Sequence, residues 1–218
     1  MSESRMTRRP IAARTTKWAA AMSTLLVRIG ARPNPISVLS AVFAAGAAAC
    51  LFAVPLTLSR RTKLELYAGV VLLVPMRLLC NMFDGMVAVE GGFRTRLGDL
   101  YNELPDRISD VLILVGAGFS IGTLAGINLG WLCGVLAVLT AYVRAMGGVT
   151  GATQPFCGPM AKQQRMATVV AASALSAAEL LAGRSNVVMP IALTVIAAGS
   201  ALTCLRRAII IAKDLNSR

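Results

Sequence analysis

Eight polar or small residues stand at helical intervals inside a strongly apolar stretch: Asn81, Asp84, Gly85 and Ala88, then Gly98, Asp99, Asn102 and Asp106, with Asp110 one turn further. Asn81, Asp84 and Ala88 follow at i, i+3 and i+7, so they share one helix face with Gly85 beside it. Gly98, Asn102, Asp106 and Asp110 recur every four residues on the next segment. A short turn near 90–97 would set Asp84 opposite Asp106. Ionisable residues in a membrane segment are costly and are functional by default. The competing role is a hydrogen-bonded seam in which Asn and Asp glue helices together. The 218 residues include no histidine, which excludes Ser-His and Cys-His nucleophilic catalysis and the common zinc sites.

The elements that must carry these residues are set by composition. The chain is 56% hydrophobic and 15% charged, with mean hydropathy +0.68, which points to a polytopic membrane protein rather than a soluble domain. Six apolar stretches approach spanning length: 37–58, 66–89, 104–124, 127–148, 164–183 and 187–211. Backbone polar groups in lipid need internal partners, so helices are expected, and strand alternation is absent. The fold expected is an all-α integral membrane bundle of six transmembrane helices with an N-terminal interfacial amphipathic helix. Its divisions are a disordered basic segment 1–10, the interfacial helix 11–32, a membrane catalytic domain 33–213 and a tail 214–218. Trp18, Met22, Leu25 and Ile29 recur at helical spacing among cations, which is the pattern of a helix lying in the interface.

Net charge is +12, with the cations beside apolar spans and no aromatic-rich basic patch. Anionic lipid headgroups, not nucleic acid, are the expected counterpart. The distribution of Lys and Arg favours both termini in the cytoplasm. Arg60, Arg61 and Lys63 run against that bias. The five cysteines lie mostly in apolar runs and read as small core residues, not as a disulfide frame. No cleavable signal peptide is expected from the first 30 residues.

As spacing, the central segment is N-x2-D-G-x2-A-x9-G-x3-N-x3-D, which resembles the CDP-alcohol phosphotransferase motif D-x2-D-G-x2-A-R-x8-G-x3-D-x3-D. The spacings agree; Asn81, Asn102 and Val89 depart from the motif's Asp, Asp and Arg. Pro33-Asn34-Pro35 resembles the element before that family's first membrane helix. Tyr142-Val-Arg144-Ala145 with Lys162 and Arg165 resembles its segment after the fourth helix.

The resemblance implies transfer of a phosphatidyl group from a CDP-linked lipid such as CDP-diacylglycerol to an alcohol, with release of CMP, in phospholipid biosynthesis. The implied cofactor is Mg²⁺ or Mn²⁺, held by Asn81, Asp84, Asn102 and Asp106, with Asp106 also a candidate general base. Asp84, Gly85, Ala88 and Gly98 would meet the CDP donor. Arg144, Lys162 and Arg165 are candidates for an acceptor phosphate, which favours a phosphorylated polyol such as glycerol 3-phosphate or inositol phosphate. Each Asp-to-Asn departure removes a negative charge, and Asp99 and Glu103 are expected to compensate, aided by a bend or helix start at Pro105.

The alternative is a catalytically degenerate relative that binds CDP-lipid or metal as a regulator or assembly partner. Expected partners are the lipid donor, a small alcohol acceptor and membrane lipids, with a homodimer allowed. The expected location is a bacterial plasma membrane.

Overall fold

A computed structural model describes residues 16–93, 96–152, 154–184 and 186–217. The side chains of residues 96–102 lie outside that description, and Gly98, Asp99 and Asn102 fall among them; so does the 1–10 segment expected to be disordered. The described elements are α1 (Lys17–Arg28), α2 (Pro33–Ala53) extended by a 3-10 turn (Val54–Leu56), α3 (Arg60–Glu90), α4 (Arg96–Phe119), α5 (Leu124–Val149), α6 (Lys162–Leu181) and α7 (Val188–Asn216). No strand occurs among the described residues.

Local chemistry sets the breaks. Gly30 takes φ 79°, Arg32 is extended, and Pro33 opens α2 where its missing amide leaves no helical bond unmade. Ser59 Oγ accepts from Thr62 N at 3.3 Å to cap α3, and Thr123 Oγ1 accepts from Gly126 N at 3.1 Å to cap α5. Of the bend or helix start expected at Pro105, the start does not occur: α4 begins at Arg96 and runs through it. Likewise Arg60, Arg61 and Lys63 lie in the first turn of α3, not in the preceding loop.

Helices α2, α3, α6, α7, α5 and α4 pack in that cyclic order as a closed ring, and α4 also reaches across to α6 and α7. The ring interior is apolar over much of its length, with Leu51, Val70, Val74, Ile113, Leu193 and Ile196 fully buried. Helices α4 and α5 approach at glycines. A Cβ on Gly118 would lie 2.5 Å from the Gly126 carbonyl oxygen and 2.7 Å from Gly130 Cα, so only glycine admits this crossing.

Four helices are long and apolar enough to cross a membrane: α2 with its 3-10 extension, α3, α5 and α7. The chain is an integral membrane protein. Helices α4 and α6, with 24 and 20 residues, have the length, but charged side chains concentrate in their N-terminal halves. Outside the ring, α1 packs Ala19 against Met82 and Met86 of α3, and Trp18 meets Phe83 edge-on at 5.9 Å. Met22, Leu25 and Ile29 remain exposed, as does much of Trp18, leaving an apolar stripe on the free side of α1.

Candidate active site

The C-terminal half of α3 and the N-terminal half of α4 meet α6 in a buried polar cluster. Along α3, Arg77, Asn81, Asp84 and Ala88 stand at i, i+4, i+7 and i+11, so one face delivers all four. Asp106 and Asp110 stand one turn apart on α4, and Lys162 and Arg165 occupy the first turn of α6.

Arg77 is the hub. Its side chain is 0% exposed, and Nη2 donates to Asp106 Oδ1 at 2.8 Å, Asp110 Oδ1 at 2.9 Å and the Asp106 carbonyl at 3.2 Å. Arg165 Nη2 closes the other side of Asp110 at 3.1 Å, while its Nη1 donates to the Met160 carbonyl and to Thr140 Oγ1. Lys162 Nζ donates to Asn81 Oδ1 at 2.6 Å and to Asp106 Oδ1. Desolvated charges survive in lipid only when paired and hydrogen-bonded, and each of these is. Arg207 of α7 donates to the Thr140 and Cys157 carbonyls, tying the loop before α6 to the cluster.

Asp84 differs. It is 2% exposed and makes no ion pair among the described residues. Its Oδ2 accepts from Ser37 Oγ of α2 at 2.8 Å, and its Oδ1 is buried without a hydrogen-bond partner. Asp84 shares a cavity of about 10 Å³ with Ser37, Ser40, Asn81, Asp106 and Ser109. That space holds about one water-sized body. Gly85 and Ala88 are half-buried on the adjoining turns of α3.

Asn81, Asp84 and Asp106 therefore meet at one point, as their spacing foretold from two helices. Glu103 is elsewhere: it pairs with Arg107 at 2.7 Å and with Arg144 at 3.0 Å, away from the Asp84 cavity. The three candidate acceptor cations also separate. Lys162 and Arg165 are buried within the cluster, whereas Arg144 lies at its edge, its guanidinium 5.4 Å from the Phe156 ring centroid. Sequence reasoning missed Arg77, whose place four residues before Asn81 on the same face was a usable signal, and Ser37, which had none.

The donor set suits a hard divalent cation at Asp84: an unpartnered buried carboxylate oxygen beside a cavity of ionic size, with amide and hydroxyl oxygens around it. No group of three or more His, Cys, Asp or Glu among the described residues forms a larger cage. Lys162 already engages Asn81 and Asp106.

No protein-family model matches the chain, and no curated protein sequence matches it. Solved structures do. The phosphatidylinositol phosphate synthase PgsA1 of Mycobacterium tuberculosis, in complex with manganese and citrate, superposes with a TM-score of 0.71 at 21% identity, over 88% of this chain and 87% of that one. The fold is shared. The same enzyme with CDP-DAG bound gives 0.68 at 20% identity over 88% and 92% of the two chains, and its apo form 0.70 at 20% over 90% and 97%.

Proposed function

We propose that this chain transfers a phosphatidyl group from a CDP-linked lipid to an alcohol, releasing CMP. The observation that carries the reading is the meeting of Asp84 and Asp106, at the spacing of the CDP-alcohol phosphotransferase motif, in one buried cavity of this fold. The solved mycobacterial relative with the same fold was crystallised with CDP-DAG and, separately, with manganese. Helices α4 and α6 are taken to cross the membrane with the other four, both termini cytoplasmic, and α1 to lie in the interface with its apolar stripe in lipid.

In the reaction the acceptor oxygen attacks the phosphorus that carries the lipid, the bond from that phosphorus to the CMP oxygen breaks, and CMP leaves. Asp106 takes the acceptor's proton, and Arg77 and Lys162 hold its carboxylate in place. Asp84, with Asn81 and Asp106 beside it, would hold Mg²⁺ or Mn²⁺, which supplies charge neutralisation on the pyrophosphate when bound. Gly85 and Gly98, which lack side chains, and the small Ala88 would let the nucleotide come close to the helix backbones. Asn102, at the motif's third carboxylate position, would be a further metal ligand, and Asp99 a carboxylate that offsets the charge lost there. Arg144 at the edge is the acceptor-phosphate contact, which favours a phosphorylated polyol such as glycerol 3-phosphate or inositol phosphate.

One observation favours the second reading, a relative that binds CDP-lipid without turnover: the ammonium of Lys162 sits on two of the three converging motif residues, Asn81 and Asp106. Metal-dependent CMP release from CDP-diacylglycerol, assayed in detergent with each acceptor, decides between them. Calorimetric binding of a CDP-lipid analogue without CMP release would establish the second reading and end the first.

A further inference from the structure

A second cavity lies at the opposite end of the bundle from the motif. It measures about 330 Å³ and opens where the ends of α2, α4 and α6 meet the start of α3. Tyr67, on its wall, is 17 residues from Asp84 along α3, roughly 25 Å at 1.5 Å per residue. Three hydroxyl residues line the interior, Tyr67, Ser120 and Ser176, each no more than 3% exposed. Ser176 Oγ lies beside the Tyr67 hydroxyl and makes no other hydrogen bond, so this group of hydroxyls keeps donor and acceptor capacity for a ligand.

Two cations line the same cavity, Lys63 and Arg184, and neither makes an ion pair among the described residues. Lys63 is the cation left open in the basic group that runs against the topology bias: Arg61 is taken by Glu65 at 2.9 Å and Arg60 by the Leu181 carbonyl. The carboxylate of Glu179, also on the wall, accepts from the Val187 and Val188 amides at 3.2 Å and so is fixed by the start of α7. Leu56, Leu58 and Leu181, close in sequence to the lining residues Pro55 and Leu180, are 84%, 99% and 61% exposed, apolar surface that water alone would not favour.

We propose that this cavity binds the headgroup of an anionic phospholipid whose phosphate is esterified to a polyol. The phosphate sits between Lys63 and Arg184, the polyol hydroxyls meet Ser176, Tyr67 and Glu179, and the acyl chains lie along the exposed leucines. Charge-assisted contacts from two cations supply the affinity for phosphate, and buried hydroxyls reject a quaternary ammonium headgroup, which can neither donate nor accept. The retained basic group at the α3 start then has a ligand, although the orientation rule alone disfavours it there. The site rests on the membrane reading and is independent of the transferase chemistry.

The test uses the full chain in detergent, with bound lipid counted by native mass spectrometry and melting followed in parallel. Phosphatidylglycerol, phosphatidylcholine and soluble glycerol 3-phosphate are the probes. The wild type should retain phosphatidylglycerol at least about tenfold more tightly than phosphatidylcholine, and Lys63→Ala/Arg184→Ala should lose one retained lipid and about tenfold in affinity. Ser176→Leu, which fills the interior and leaves both cations, should lose the same lipid. Lys63 lies in the first turn of α3 and Arg184 in the exposed segment after α6, so that double variant should fold and decides even if Ser176→Leu does not. Equal retention by wild type and the double variant overturns the site, as does equal retention of the two lipids. Stabilisation by glycerol 3-phosphate with no lipid preference overturns the lipid as ligand. None of these readouts depends on CMP release, so a failure here leaves the proposed reaction untouched.

Discussion

The two halves of α4 fold by different physics. From Glu103 to Asp110 the three carboxylates of the helix meet five cations, its own Arg107 and Arg77, Arg144, Lys162 and Arg165, each bonded to at least one of them. From Ile113 to Phe119 it is buried among apolar side chains and meets α5 through glycine. In the charged half, position is enforced by directional hydrogen bonds that must all be satisfied at once. In the glycine half it is enforced by contact alone, because close backbone approach maximises dispersion where lipid offers no hydrophobic drive. The proposed chemistry uses the first half, and the second packs by close backbone contact.

The strongest way to break that division is Asp106→Asn. It keeps the shape and removes the carboxylate that both Arg77 and Lys162 hold. CMP release should fall by about 10²–10⁴, as for loss of a general base, while the protein still elutes as a folded species. Near wild-type turnover would remove Asp106 from catalysis.

Next is Arg77→Met, which leaves Asp110 to Arg165 alone and Asp106 to Lys162 and a distant Arg107. Breaking a buried ionic network at one member costs about 3–5 kcal/mol, to be read from unfolding in mixed detergent. Adding Asp110→Leu together with Arg165→Leu should recover much of the loss, since Arg165 pairs with Asp110 and the threefold apolar replacement leaves Asp106 with Lys162. If the single variant is as stable as the wild type, the network is not what positions α3 on α4.

In the other half, Gly118→Val should cost about 1–3 kcal/mol by overpacking against Gly126 and Gly130. Turnover per folded molecule should stay near wild type, because the site lies in the other half. A large kinetic effect with no thermal effect would contradict the division.

The smallest effect is expected at the edge. Arg144→Ala frees one side of Glu103 and removes the contact with Phe156. The acceptor KM should rise by roughly tenfold, the loss of one charge-assisted hydrogen bond, with the donor KM moving much less. Steady-state kinetics varying each substrate in turn reads this directly. Equal changes for both substrates would place Arg144 at the nucleotide.

Much of the site was legible because helical spacing is local. Once residues 81–88 and 102–110 are helical, the 3.6-residue period fixes which of them share a face. Arg77 was equally readable by the same rule, but a search for apolar runs treats a lone arginine as an interruption and not as part of a face. The same habit placed the start of the third span at 104, whereas α4 starts at Arg96, because inward-facing charges lower hydropathy without ending a helix. Glu103 illustrates the opposite difficulty. Its proximity to Asn102 in sequence suggested a compensating carboxylate, yet its position on the helix turns it to Arg107 and Arg144.

The sequence by itself determined a helical membrane chain, the pairing of two polar faces across a short connection, and the positions where charge is scarce. Periodicity and the cost of bare backbone in lipid suffice for that. Only the tertiary structure decided the partners. Lys162 reaches Asn81 across 81 residues of chain, Arg165 reaches Asp110 across 55, and Ser37 reaches Asp84 across 47. Such contacts follow from the order in which six helices close a ring, and that order is set by many weak packing choices summed over the whole bundle, which no local pattern records.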